Sequence, residues 1–375
     1  MMKKEFSSIE VKYLIDELKQ LEDSKIDRVY QPEDDEILLQ LHKTGKGKML
    51  LRIKGKLMYL ASQKPINPQT PFGFCIYLRK KISGAIIKSI NQMQSERIVE
   101  ISLQSKEGIR KLIIELFGSG NVILADENDI ILSPMSIQRF KDREIKPKED
   151  YSHPERGINI FEADKEAFFA SISESQQNQL VKALALDLGM GGTYAEELCL
   201  ISGIEKSIKP DKADDNQLET LFSELKSMLS KKPSPRTVLE DGKVIDIIPF
   251  EMEKYKDYEQ HEKDTFNQAL DSVITGHLIG EKKQERVKTA SREMEKVKKS
   301  LEAQEKSIKK LKKDAEENHN KGEAVYEKYE LVSSILRDIR KAREKHSWKE
   351  IKEKLKGHKV IKEINEKEGK VVIEI

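Results

Sequence analysis

The sequence predicts an α+β protein, with a β-rich amino-terminal domain, a helical middle and a long coiled coil, on three observations. Between residues 25 and 132 apolar residues recur with a period near two, in short runs separated by Gly, Asn and Asp turns. From 161 to 232 the spacing becomes three and four. From 287 a seam of alternating three- and four-residue steps is sustained over four heptads.

Ser7-Ser8-Ile9-Glu10 opens the first helix, a serine cap followed by an acid in the first turn, and Ile9, Tyr13, Leu14, Leu18 and Leu21 give it a buried face. Strands are expected at Ile26-Asp27-Arg28-Val29-Tyr30-Gln31, at Glu36-Ile37-Leu38-Leu39-Gln40-Leu41, at Lys48-Met49-Leu50-Leu51-Arg52-Ile53 and at Leu57-Met58-Tyr59-Leu60-Ala61. A loop through Pro65, Pro68 and Pro71 leads to a helix from about Phe74 to Ile82. Strands follow at 97–103, 110–117, 122–125 and 129–132, completing a sandwich or barrel. Residues 139–157 read as a linker. In the helical stretch, Gly189-Met190-Gly191-Gly192 turns one helix into the next, and Val238-Leu239 with Val244-Ile245-Asp246-Ile247-Ile248 form a hairpin expected to rejoin the first sheet.

Val287, Ala290, Met294, Val297, Leu301, Gln304, Ile308, Leu311 and Ala315 make the first heptad seam; Val325, Lys328, Val332, Ile335, Ile339 and Ala342 make a second. Asn318-His319-Asn320-Lys321-Gly322 between them is expected to break the helix, giving an antiparallel hairpin in preference to a parallel homodimer. A β-hairpin turning at Glu368-Gly369 ends the chain. The expected domains are 1–157, 158–235, a return segment 236–272, the coiled-coil hairpin 273–347, and 348–375 leading to a further domain.

Hydrophobic residues make up 37% and charged residues 36% of the chain, too apolar for disorder and too charged for one simple globule. Residues 281–360 hold 25 Lys/Arg against 16 Asp/Glu, which leaves the remainder at −7. A basic arm on an acidic body suits a polyanion; a solvated helix face explains the charge equally well. Cys75 and Cys199 form neither a disulfide framework nor a metal cluster, no signal segment opens the chain, and no apolar run of about 18 residues is present, so a cytoplasmic protein off the membrane is expected. No catalytic constellation, metal site or cofactor motif stands out.

Three places could carry binding. Gly189, Gly191 and Gly192 resemble the turn of a helix-hairpin-helix, where backbone N–H groups meet phosphate; alone, such a turn is more often a connection. Arg79, Lys80 and Lys81 end a helix, where they complement its dipole or contact phosphate. Glu96-Arg97 enters a strand and, by itself, reads as a surface ion pair.

Together these segments resemble the NFACT family, whose members include RqcH- and NEMF-like ribosome quality-control factors and have also been called fibronectin-binding proteins. The resemblance rests on Ser7-Ser8-Ile9-Glu10-Val11, Pro71-Phe72-Gly73-Phe74-Cys75-Ile76-Tyr77-Leu78-Arg79-Lys80, Arg97-Ile98-Val99-Glu100-Ile101 and Glu115-Leu116-Phe117-Gly118-Ser119-Gly120-Asn121-Val122-Ile123-Leu124. It also rests on Asp187-Leu188-Gly189-Met190-Gly191-Gly192-Thr193-Tyr194-Ala195-Glu196-Glu197-Leu198-Cys199 and Phe266-Asn267-Gln268-Ala269-Leu270-Asp271. It implies a glycosylase-like NFACT-N domain, a helix-hairpin-helix domain and a coiled-coil hairpin. It further implies binding to large ribosomal subunits carrying stranded peptidyl-tRNA, with contacts to tRNA and rRNA, and recruitment of tRNA for alanine tailing at the ribosome's own catalytic centre.

The tRNA-engaging positions implied are Glu10, Glu96 and Arg97, where the family usually has Asp, Asp and Arg. Asn318, Asn320 and Lys321 would form a partner hook at the coiled-coil tip, reaching toward a ribosomal stalk protein. The family's carboxy-terminal NFACT-R domain is expected to be lacking, and a dimer is left open. A DNA glycosylase is rejected, since the chain begins Met-Met-Lys-Lys and has no cysteine quartet; an adhesin or scaffold is the remaining alternative.

Overall fold

The computed structural model describes residues 3–141, 143–154 and 157–375, without the side chains of 279, 281–287, 289 and 290. They fall into two compact units, Met1–Lys282 and Lys283–Ile375.

The first unit is built on a nine-stranded antiparallel sheet. Its strands are β1 (Lys25–Glu33), β2 (Glu36–Lys43), β3 (Gly47–Lys54), β4 (Leu57–Leu60), β5 (Ile86–Gln92), β6 (Ile98–Ser105), β7 (Gly108–Glu115), β8 (Asn121–Asp126) and β9 (Ile131–Pro134), in the order β4-β3-β2-β1-β5-β6-β7-β8-β9. Two meanders therefore meet where Lys25 pairs with Ile86, and both present apolar residues to one core: Val29, Leu39 and Leu51 from one, Ile87, Val99 and Leu112 from the other. The mixed α and β class is as expected. β5 is not among the expected strands, because a bulge between Ile87 and Ser89 breaks its alternation. A two-stranded ribbon, β10 (Gln138–Arg139) and β11 (Glu144–Ile145), lies within the expected linker.

Helix α1 (Ser8–Leu18) serves two cores at once. A capping box starts it: Ser7 Oγ accepts the Glu10 N–H and Glu10 Oε2 accepts the Ser7 N–H. Val11, Leu14, Ile15 and Leu18 face the sheet core, while Ile9 and Tyr13 face a second core. That second core is made by α3 (Lys165–Ser173), α4 (Leu180–Lys182, continued by wider turns over Ala183–Asp187), α5 (Gly192–Ile201) and α6 (Asp215–Leu229). Between β4 and β5 lies α2 (Gly73–Ile82), with Cys75 and Leu78 in the sheet core.

The 236–272 segment does not rejoin the large sheet. β12 (Arg236–Glu240), β13 (Lys243–Ile248) and β14 (Glu259–Glu262) form a separate sheet in the order β13-β12-β14, so both edges of β12 are occupied by its own neighbours. Successive residues of β13 serve different cores, Ile247 the sheet and Ile248 the helices, as alternation requires. The expected boundaries at 157 and 235 thus fall inside one unit.

The long helix α7 (Phe266–Glu327) begins in the first unit, where Glu17 on α1 accepts the N–H groups of Phe266 and Asn267 at 2.6 and 2.8 Å. It then runs through Asn318, Asn320, Lys321 and Gly322 unbroken. This corrects the expected hairpin turn and, with it, the partner hook at a tip. A solvent-exposed glycine costs a helix only about 1 kcal/mol, and i,i+4 partners such as His319–Glu323 accompany it. The interruption falls at Lys328, before α8 (Tyr329–Lys345).

The two seams do not pack on each other. Met294, Val297, Leu301, Ile308 and Leu311 are all more than half exposed; Val287 and Ala290 lie outside the described side chains. Ile335 and Ile339 of the second seam are buried instead with Ile351 of α9 (Trp348–Lys354) and Ile361 and Ile364 of β15 (Ile361–Asn365). β15 pairs with β16 (Lys370–Ile373) around Gly369, as the sequence predicts. No helix of the described residues is long and apolar enough to cross a membrane.

Candidate nucleic-acid interface

The amino-terminal segment, residues 3–10, is where the expected sites converge. Lys3 is buried and its Nζ donates to Glu10 Oε1 at 2.6 Å and to Asp246 Oδ1 at 2.7 Å. Tyr194 Oη donates to Glu10 Oε1 at 3.1 Å, and Tyr255 Oη to Asp246 Oδ2 at 2.8 Å. Burial by itself pulls the Lys3 ammonium down, but the two carboxylates outweigh it and hold Lys3 above the ordinary lysine value. Burial, seconded by Asp246, pushes the Glu10 carboxyl up against the pull of Lys3. Burial also raises Tyr194 and Tyr255, with Glu10 and Asp246 adding to it.

This cluster forms the wall of a cavity of about 480 Å³ whose other lining includes Lys4, Glu5, Lys56, Gly191, Gly192 and Thr193. The glycine turn comes to it because Ser8 Oγ donates to the Gly189 carbonyl at 3.0 Å. Gly191 sits at φ +79°, and a Cβ there would stand 3.2 Å from Ser7 Cβ. Gly191 precedes α5 with no side chain capping the helix, so the amide end of α5 opens on the cavity. On the rim, Glu5 pairs with Lys56 at 2.7 Å and with Arg97 at 3.5 Å, and both cations hold its carboxyl below the usual range, Lys56 foremost.

The site residues expected from sequence are therefore divided. Glu10, Gly191 and Gly192 line the cavity. Gly189 supports it from behind, and Arg97 Nη1 also donates to the Phe6 carbonyl at 3.4 Å. Glu96 is buried in the adjoining loop, where Gln92 Nε2 joins its carbonyl to that of Ser8 at 2.8 Å each. Arg79, Lys80 and Lys81 are not in the cavity: Arg79 Nε donates to the Val29 carbonyl, Lys80 is exposed, and Lys81 pairs with Glu107.

Asn318, Asn320 and Lys321 stand exposed along α7. Lys3, Tyr194, Asp246, Tyr255 and Lys56 were missed. An acid inside the apolar run Val244-Ile245-Asp246-Ile247-Ile248 was the readable sign of one of them.

The cavity offers a helix amide end and the Lys4 ammonium, while Lys3 and Lys56 are paired with carboxylates of the same lining. No group of three His, Cys, Asp or Glu placed to hold a metal occurs among the described residues. Both cysteines are buried free thiols, and burial pushes Cys199 up to about 11.

A two-meander sheet sharing helix α1 with a glycine-turned helical bundle defines an α+β protein with a polar cavity where a helix amide end meets the amino-terminal segment. The chain belongs to the NFACT family: residues 7–369 match that family's N-terminal and middle domains. It is 29% identical to the archaeal Rqc2 homolog aRqcH of Methanocaldococcus jannaschii over the whole chain and 58% of that protein. It is 29% identical to the Rqc2 homolog RqcH of Bacillus subtilis over 54% of this chain and 37% of that protein. With the human ribosome quality control complex subunit NEMF the figures are 24%, 91% and 34%. The chain thus spans between a third and three-fifths of the length of these relatives.

Among solved structures, the fibrinogen binding protein from Staphylococcus aureus matches with TM-score 0.58 at 21% identity, over 71% of this chain and 97% of that one. The N-terminal part of the fibronectin/fibrinogen-binding protein from Streptococcus suis matches with TM-score 0.57 at 22%, over 72% and 99%. Both likenesses concern the fold.

Proposed function

We propose that this chain is the RNA-holding part of a ribosome quality-control factor: it binds the large ribosomal subunit carrying stalled peptidyl-tRNA and recruits tRNA for tailing. The observation that carries this reading is the convergence of Glu10, Arg97 and the Gly191-Gly192 amide end on one amino-terminal segment with free space beside it. The names of its relatives supply the cellular setting. The protein works by positioning; the ribosome supplies the bond-forming centre, and holding two reactants in register can itself contribute several kcal/mol. The working parts are a polar wall already internally paired, which fixes the pocket's shape, the Lys4 cation that meets phosphate, and Lys56 and Arg97, which a phosphate reaches by displacing the half-exposed Glu5 they share. Glu10 lies in the cavity wall with its carboxylate taken up by Lys3, Tyr194 and the Ser7 N–H, and it acts through these partners. An adhesin role rests on fold likeness at 21–22% identity, which extends to the fold and not to the ligand.

Salt-washed large subunits bearing peptidyl-tRNA, incubated with the protein and tRNA, test the reading. Co-sedimentation of protein and tRNA is expected, weakening steeply as salt rises because phosphate contacts release counterions. Lys4→Glu with Lys56→Glu and Arg97→Glu should lower tRNA retention at least tenfold. Wild-type protein that fails to sediment with the subunits at low salt would sink the proposal.

A further inference from the structure

Tyr30 stands with Leu38 and Leu50 in a small apolar cluster separate from the two main cores of its unit. Three cations from three different elements converge on it. Arg28 is two residues earlier on β1, Lys64 comes from the proline-containing loop, and Arg79 comes from the last turn of α2. Lys64 Nζ lies 3.5 Å from the ring centroid and the Arg79 guanidinium carbon 5.9 Å. Lys64 and Arg28 hold the Tyr30 hydroxyl below its ordinary range although burial, the largest single influence, acts the other way.

Among the described residues none of these three cations makes an ion pair. Many neighbouring cations do: Lys54 with Glu33, Lys56 with Glu5, Lys81 with Glu107, Lys111 with Asp129. Attraction of a cation to an aromatic face offsets part of its desolvation, but it does not remove the mutual repulsion of three like charges around one ring. An anion placed among them would. Two guanidinium groups and an ammonium, with an apolar base that excludes water from one side, match the oxygens of a phosphate.

We propose that Arg28, Lys64 and Arg79 around Tyr30 form a second phosphate-binding site, apart from the cavity, that grips the backbone of an RNA strand. This deepens the RNA-holding function proposed above and rests on it. It also divides the basic end of α2: Arg79 belongs to the site, whereas Lys81 is neutralised by Glu107.

Fluorescence anisotropy with the full chain and an end-labelled single-stranded RNA tests the assignment, with Arg28→Gln/Lys64→Gln/Arg79→Gln as the variant and Lys81→Gln as the control. The triple variant should bind at least tenfold more weakly at low salt. Its slope of log affinity against log salt should be shallower by about 2, for three contacts at roughly 0.7 each; the control should match wild type. The double Arg28→Gln/Lys64→Gln variant, which keeps the Arg79–Val29 hydrogen bond, gives a slope change of about 1.4 and serves if the triple variant unfolds.

An unchanged slope and affinity in a folded variant overturns the site. So does binding of inorganic phosphate that the triple variant loses while its RNA affinity stays at the wild-type value, which would make it a site for free phosphate. If cavity variants Lys4→Glu/Lys56→Glu lose RNA while the triple variant keeps it, the Tyr30 site alone falls; if wild type binds no RNA, the broader function falls as well.

Discussion

At the scale of residues, one lysine governs the amino-terminal segment. Lys3 lies between two carboxylates that are themselves buried, and its removal would leave both without a counter-charge. Lys3→Met is expected to destabilise the protein by about 3–5 kcal/mol, measured by urea denaturation at neutral pH. The sign of the pH dependence follows from the raised Lys3 value. Its contribution is fully present below the unfolded lysine value and is lost as pH rises through the folded one. The wild-type midpoint should therefore fall at strongly alkaline pH more steeply than that of Lys3→Met. Gly191 is the second decisive residue, since its φ of +79° and the nearby Ser7 Cβ penalise any side chain. Gly191→Ala should cost about 1–3 kcal/mol and weaken tRNA retention, read by the same denaturation and sedimentation assays.

The sequence made part of this legible. Ser7 and Glu10 at cap spacing announced the helix start, and the structure shows them exchanging the two hydrogen bonds that spacing allows. The role of Glu10 as a lysine partner was hidden, because Asp246 and Tyr194, which complete the cluster, lie over 180 residues away in the chain.

At the scale of elements, periodicity located most strands and helices but did not decide their ends. Asn318 to Gly322 looked like a turn because Asn and Gly punctuate chains; in α7 their small intrinsic penalties are absorbed by the flanking helix. Gly322→Ala should thus raise α7 stability by about 1 kcal/mol, seen as a more intense and more heat-resistant circular-dichroism signal at 222 nm. A turn at that place would predict the opposite. β5 escaped notice for a complementary reason: its bulge erases strict alternation in a strand that joins the two meanders. The apolar seam of α8 was legible as a buried face, but its partners are α9 and β15, and nothing in a heptad names its partner.

At the scale of the whole molecule, each unit rests on its own core. The first unit binds its two cores through α1 and β13, so its sheet and its bundle are expected to melt together. The exposed seam on α7 contributes nothing to that melting. Leu301→Glu with Ile308→Glu should leave the first transition within about 0.5 kcal/mol of wild type by calorimetry.

The sequence by itself determined the α+β class, the serine-capped start of the first helix, the glycine turn, the terminal β-hairpin and the family, because each is written in neighbouring residues or in one ordered set of motifs. Only the tertiary structure decided that residues 236–262 make a separate sheet, that the two seams stay apart, and that Lys3, Glu10, Tyr194 and Asp246 meet beside a cavity. Local spacing fixes which face of an element is apolar; which other face it meets depends on contacts between distant segments, and these exist only once the chain has folded.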